Sequence, residues 1–345
     1  MSIDITLLLR ENIRNLKPYS SARDEFSGDA AVFLDANENP FNTPWNRYPD
    51  PHHRQLKERV SQIKKVLVSK IFLGNGSDEP IDLLFRAFCE PGKDNVVSIN
   101  PTYGMYRVAA DTNNIEVINV PLGIDYLLDT EAVLKAVNSD TKIIFLCSPN
   151  NPTGNALDHK SMMHIITEFK GLVVVDEAYI DFCPEKSLLP LLDHHSNLVI
   201  LQTFSKAWGM AGLRLGMAFG SPEIIEVLSR IKYPYNLNIL TQHKALELLA
   251  NEQIKSKWVT TILKERDKMV KNLLTLPFVI KVYNSDANFI LVKMDDPRGI
   301  YNYLVEEKII VRDRSSIALC KGCLRISIGS PEENATLIEV LEQLV

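Results

Sequence analysis

The sequence predicts an α/β fold: a mostly parallel central sheet covered by helices, preceded by an N-terminal arm and followed by a smaller α+β domain. Two observations carry this expectation. In the middle of the chain, short β-branched runs alternate with helical patterns. Runs such as Ile143-Ile144-Phe145-Leu146 and Leu172-Val173-Val174-Val175 are apolar at every position, so both faces of those strands must be covered, as in a parallel sheet between helical layers. After about residue 250 the pattern changes to one long amphipathic stretch and well-spaced short strands, which suits a separate α+β unit. The expected division is an arm over 1–50, a large domain over 51–250 and a small domain over 251–345.

Taken in order, the arm precedes a helical pattern from His52 to Leu67 and should pack against other parts of the structure. A second apolar helical pattern runs from Ile81 to Phe88. Strands are expected at Asn95 to Ile99, Ile115 to Val120, Lys142 to Cys147, Leu172 to Val175 and Leu198 to Leu201. The small domain should begin with a helix from Glu252 to Leu274, then strands at Val279 to Val282, Asn288 to Val292, Ile309 to Val311 and Leu324 to Ile328. Its last helix has a marked start: Ser330 can cap it, Pro331 fits the first turn, and Glu333 completes a capping box.

The bulk properties exclude several classes. A length of 345 residues suggests about two domains. Lys plus Arg number 38 against 43 Asp plus Glu, for a net charge of −5, so there is no general basic field for nucleic acid. No apolar run approaches the ~20 residues that cross a bilayer. The N-terminus, with Asp4, Arg10 and Glu11 around a short apolar stretch, lacks the basic start of a secretory signal, so a cytoplasmic protein is expected. Cys89, Cys147, Cys183, Cys320 and Cys323 are odd in number and scattered, which points to free thiols. Cys320 and Cys323 form a lone C-x-x-C without a second pair, so no metal is expected, and His52-His53 and His194-His195 read as solvated.

Four stretches carry chemistry. Thr203-Phe204-Ser205-Lys206 follows a strand and leads into Ala211-Gly212-Leu213-Arg214-Leu215-Gly216. A lysine at the end of a buried strand lies where α/β sheets place ligands, and a partly desolvated amine near other cations becomes nucleophilic. Lys206 is thus a candidate Schiff-base residue, with Arg214 and the Ser205 hydroxyl suited to a phosphate; solvated loop charges are the plain alternative. In Val173-Val174-Val175-Asp176-Glu177-Ala178-Tyr179, Asp176 ends a buried strand and needs a cationic or hydrogen-bonding partner, such as a protonated pyridine nitrogen. Tyr179 can approach the same ring, although a helix cap and a core tyrosine would also account for the pair. Ser148-Pro149-Asn150-Asn151-Pro152-Thr153-Gly154 is a loop of fixed shape that can aim the Asn151 amide at a ligand oxygen. Finally, Gly74-Asn75-Gly76-Ser77-Asp78-Glu79 opens a helical pattern, and the N–H groups of Gly76, Ser77 and Asp78 can bind an anion. Its glycines fit neither a dinucleotide fingerprint nor a P-loop, which disfavours nicotinamide or ATP chemistry.

A Schiff-base lysine, a carboxylate for a pyridine nitrogen and separate phosphate anchors together describe a site for pyridoxal 5'-phosphate. In order and spacing, N-N-P-T-G, D-E-A-Y, S-K and G-L-R-x-G closely resemble the fold type I pyridoxal-phosphate aminotransferases, and within them the histidinol-phosphate aminotransferase family. Arg10 to Arg14, Lys17-Pro18-Tyr19, Asp35 to Pro40, Arg47-Tyr48-Pro49, Pro101 to Tyr106 and Cys323 to Ile326 carry that finer likeness, which runs nearly end to end. The resemblance implies that Lys206 holds the cofactor covalently, Asp176 keeps the pyridine nitrogen protonated, Asn151 and Tyr179 bond the ring hydroxyl, and Tyr103 stacks on the ring. It assigns the cofactor phosphate to Gly76, Ser77, Asp78, Ser205 and Arg214, with Tyr48 from the other subunit of a homodimer. It assigns the substrate phosphate to Arg325, Arg312 and Tyr19, although Arg312 could instead be a surface ion pair. The implied reaction converts L-histidinol phosphate and 2-oxoglutarate to imidazole-acetol phosphate and L-glutamate. The rivals are a threonine-phosphate decarboxylase, an aromatic amino-acid aminotransferase, and a non-catalytic sensor module, which would be expected to carry an added basic region.

Overall fold

The computed structural model describes residues 3–20 and 32–345. Seven strands form the large sheet: β1 (Ile71–Asn75), β2 (Asn95–Asn100), β3 (Glu116–Pro121), β4 (Thr141–Cys147), β5 (Leu172–Asp176), β6 (Leu198–Thr203) and β7 (Leu215–Phe219), in the order β1-β7-β6-β5-β4-β2-β3. From β3 to β6 every pairing is parallel, while β7 runs antiparallel to both β6 and β1. The sequence explains the burial of both faces. Ile144, Leu146, Val173 and Val175 enter one core, and Ile143, Phe145, Leu172 and Val174 enter the other. The first core is closed by Leu56 and Val60 of the helix Arg54–Lys64 and by Ile165 and Ile166 of the helix His159–Glu168. The second is closed by Leu84 and Phe85 of the helix Asp78–Phe88, Tyr106 of the helix Met105–Thr112 and Leu228 of the helix Pro222–Ile231.

The smaller sheet comprises β8 (Val279–Val282), β9 (Phe289–Met294), β10 (Arg312–Asp313) and β11 (Cys323–Ser327), all antiparallel in the order β10-β11-β9-β8. Leu324 and Ile326 face a core shared with Met269 and Leu273 of the helix Glu252–Leu273 and Leu341 of the helix Pro331–Glu342. On the other face, Phe289, Leu291 and Cys323 join the core of the large domain, so the two sheets are tied by packed apolar surface. The capping box is present, with Glu333 N–H donating to Ser330 Oγ at 3.2 Å and Ser330 N–H to Glu333 Oε2 at 2.7 Å.

The structure departs from the sequence reading in places. Two strands, β1 and β7, were not expected, because both are short and lie within glycine-containing motifs that read as loops. Ile309 to Val311 is not a strand. Lys308 has φ +62° and Ile309 N–H donates to Leu304 O at 2.7 Å, so these residues close the preceding helix, and pairing begins only at Arg312. His53 is buried rather than solvated, and burial pushes its pKa down to about 3. Among the described residues, no helix is long and apolar enough to cross a membrane.

Candidate active site

The parallel strands β4, β5 and β6 end together, and one cavity opens there. It is lined by Ser77, Asp78, Tyr103, Asn151, Asp176, Tyr179, Ser205, Lys206 and Arg214, with Cys147, Ala178, Thr203 and Ala211 between them. The space between these side chains, open mouth included, is about 570 Å3. Nine predicted residues from five separated stretches therefore converge on one space.

Asp176 ends β5 at 2% exposure. Its Oδ2 accepts from the Tyr106 hydroxyl at 2.7 Å and its Oδ1 from Ala178 N–H at 3.0 Å. Burial raises its pKa to about 6 against the opposing pull of those bonds, so the carboxylate is fixed in position but short of a counter-charge. A cation beside it would restore the charged form. The next residue, Glu177, is also buried but serves the fold: it accepts from Leu188 N–H, the Ser187 hydroxyl and the Gln202 amide.

Lys206 sits on the turn after β6. Thr203 Oγ1 accepts from Ser205 N–H at 3.1 Å and Met210 N–H donates to Phe204 O at 3.1 Å, closing the turn around the lysine. The side chain opens onto the cavity with Nζ 5.5 Å from the centre of the Tyr179 ring. Surrounding protein desolvates the amine, and this, followed by the field of Arg325, lowers its pKa. The free-amine fraction at neutral pH is thereby increased.

An anion cradle forms where β1 meets β7. Ser77 precedes the helix Asp78–Phe88, whose first N–H groups and dipole face the cavity. Arg214 adopts φ +52°, uncommon for a side chain of this size. That turn lets its carbonyl accept from Gly76 N–H at 2.6 Å while Nη2 reaches Asp78 Oδ2 at 3.2 Å. Gly76 has φ +77°, which a side chain rarely adopts, and a Cβ on Gly216 would lie only 2.2 Å from Ser77 N, so both positions need glycine. Asp78 also accepts from the Tyr103 hydroxyl at 3.0 Å, which ties the aromatic wall to the cradle.

The small sheet touches two residues of the cavity lining, Asn151 and Tyr179. Arg325 Nη1 donates to Asn151 Oδ1 at 2.5 Å, and its guanidinium lies 5.2 Å from the Phe289 ring. Phe289 in turn meets Tyr179 edge to face at 5.0 Å. Arg312 lies directly across from Arg325 in the β10–β11 pair, and no ion pair holds Arg312 to a carboxylate of the described residues.

Gly76, Arg312 and Arg325 are not among the lining residues, and two further predicted residues lie elsewhere in this chain. Tyr48 is half-exposed and stacks on Tyr235 at 4.4 Å, and Tyr19 is 75% exposed beside Arg10, Lys17 and Arg230; neither lines the cavity. Sequence reasoning missed Tyr106, Thr203, Cys147 and the wholly buried Asn150, which bonds Thr102, Pro101 O and Thr153 and so holds two loops together. Tyr106 lay within a quoted motif, but its bond to a residue 70 positions away had no sequence signal.

The sequence profile described as aminotransferase class I and II matches residues 30–341. The chain belongs to this aminotransferase family. A protein of Parabacteroides distasonis named histidinol-phosphate aminotransferase is 57% identical over 99% of both chains. The crystal structure of the histidinol-phosphate aminotransferase from Clostridium acetobutylicum has a TM-score of 0.81 at 24% identity, over 87% of this chain and 91% of that one. That from Sinorhizobium meliloti, in complex with pyridoxal-5'-phosphate, has a TM-score of 0.79 at 23% identity, over 87% and 84%. The fold type I assignment and the aminotransferase class are thus established, as is the likeness to histidinol-phosphate aminotransferases.

The residues present fit pyridoxal phosphate. A buried carboxylate that forms no ion pair among the described residues suits a pyridinium, a desolvated lysine suits an aldehyde, and a helix N-terminus beside Arg214 suits a phosphate.

Proposed function

We propose that this aminotransferase transfers the amino group of L-histidinol phosphate to 2-oxoglutarate, yielding imidazole-acetol phosphate and L-glutamate in histidine biosynthesis. The name borne by relatives more than half identical over nearly the whole chain supports this reading. The observation that carries it is that Arg312 lies directly across from Arg325 in the β10–β11 pair, while Arg325 bonds Asn151 of the cavity lining. Two guanidinium groups suit a phosphate at the far end of the substrate.

When bound, pyridoxal phosphate supplies a carbonyl that takes up amines and a ring that accepts electrons from Cα. Lys206 would hold that carbonyl carbon between turnovers. The lowered pKa of the Lys206 amine would suit it to act as the base that moves the Cα proton. Asp176, held by Tyr106 and Ala178, keeps the proton on the ring nitrogen. Asn151 and Tyr179 bond the ring hydroxyl, and Tyr103 covers a ring face. Ser205, Arg214 and the N–H groups of Gly76, Ser77 and Asp78 take the cofactor phosphate, while Arg325, Arg312 and Tyr19 take that of the substrate. Because Tyr48 stands outside its own cavity, we assign the active form to a homodimer in which it serves the partner's site. Five free cysteines agree with a reducing, cytoplasmic setting.

Assay of the purified holoenzyme with 2-oxoglutarate and histidinol phosphate, threonine phosphate or phenylalanine tests the substrate assignment. Glutamate should form fastest with histidinol phosphate. Carbon dioxide release from threonine phosphate would identify the decarboxylase instead, and preference for phenylalanine the aromatic aminotransferase.

A further inference from the structure

One residue beside the cavity has an unexplained environment. Arg314 follows β10, and its N–H donates to Cys323 O at 2.9 Å, continuing the pairing that sets Arg312 across from Arg325. Strand alternation then places Arg312 and Arg314 on one face, together with Arg325 and Cys323. That face is turned towards the large domain, because Cys323 and its neighbours Phe289 and Leu291 enter the large domain's core, whereas Leu324 and Ile326 enter the other.

Three guanidinium groups therefore share a face, and among the described residues none forms an ion pair with a carboxylate. Asp313, between two of them, turns its carboxylate to Ser315 N–H at 2.8 Å. The Nε atoms of both Arg314 and Arg325 are buried without a hydrogen-bond partner among the described residues. Each is a donor of a charged group left without an acceptor, which is costly. Burial first, then the charge of Arg312, pulls the pKa of Arg314 down; Arg325 is lowered by burial and then by Arg314. The fields of Arg325 and Arg314 both reach Tyr179, which lines the cavity. Like charges gathered without a counter-ion repel one another, and a multiply charged anion reverses the sign of that cost.

We propose that Arg314 is a third anchor for the phosphate of the amino substrate and sets the preference for a dianionic phosphate over a singly charged carboxylate. The proposal rests on the substrate reading above. 2-Oxoglutarate would present one negative charge to this face where the amino substrate presents two. Removing one of three cations therefore weakens the phosphate substrate more.

The test uses Arg314→Gln and Arg314→Lys holoenzymes, with the two half-reactions followed separately by visible absorbance and with inorganic phosphate as a competing ligand. For Arg314→Gln, half-saturation by histidinol phosphate should rise about tenfold or more, as expected for loss of a charge-assisted hydrogen bond. The inhibition constant of inorganic phosphate should rise in parallel, half-saturation by 2-oxoglutarate should rise by a smaller factor, and Arg314→Lys should recover part of each loss. Equal losses in both half-reactions, or unchanged responses to both histidinol phosphate and inorganic phosphate, would overturn the assignment and leave Arg314 a structural residue. If the unaltered enzyme rejects histidinol phosphate but inorganic phosphate inhibits its reaction with another amine, and less so in Arg314→Gln, the substrate reading falls while the anion site stands.

Discussion

Asp176 ends a strand whose every residue is buried, and burial favours its neutral form, yet Tyr106 and Ala178 donate to it as they would to a carboxylate. Without a cationic partner this conflict affects stability. A folded pKa near 6, above the usual 3.8, means that its contribution is fully present below about pH 4 and is lost as pH rises through 6. Buried Glu177, raised to about 7, has the same sign, while His53, lowered to about 3, has the opposite one. The informative quantity is therefore a difference between two proteins. Cofactor-free Asp176→Asn should gain stability relative to the unaltered apoprotein as pH rises from about 4 to 7, by an amount of the order of 1–3 kcal/mol. Thermal denaturation across that range measures it; a difference independent of pH would show that Asp176 is not a burdened charge. Asp176 and Lys206 were legible in the sequence because their residue types are out of place at the ends of apolar strands. Tyr106 was not, since a tyrosine in a helix reads as core, and its ring does pack on Phe145 at 4.8 Å.

At the scale of elements, legibility followed periodicity. Strands β4, β5 and β6 are legible as continuous apolar runs, β2 and β3 as shorter β-branched ones, and the Ser330 capping box because its donors and acceptors lie three residues apart. Strands β1 and β7 escaped because Gly74 and Gly216 face each other in their register. There the missing side chains that bring the strand pair against Ser77 also erase the apolar pattern. The closure of a helix at Lys308 and Ile309 disguised three apolar residues, Ile309 to Val311, as a strand. The first failure lies where a tertiary contact selected the backbone, the second where a left-handed residue closed a helix.

Across the whole molecule, Lys206, Asp176 and Arg214 come to the cavity from the large sheet, and the small sheet meets its lining through Arg325 and Phe289. Packing of Phe289 against Tyr179 carries the register between them. We assign the arm to residues 1–50, the large domain to 51–250 and the small domain to 251–345. If the arm delivers Tyr48 to a second subunit, inactive Lys206→Ala and impaired Tyr48→Phe chains should regain activity when combined as heterodimers. That mixture should form some sites with both residues intact; verified heterodimers without recovery would return Tyr48 to its own subunit or remove it from the site. The account stands most directly on Lys206. Borohydride reduction of the purified holoenzyme followed by peptide mapping should place the cofactor on the peptide containing Thr203-Phe204-Ser205-Lys206, and attachment to any other lysine would contradict the site.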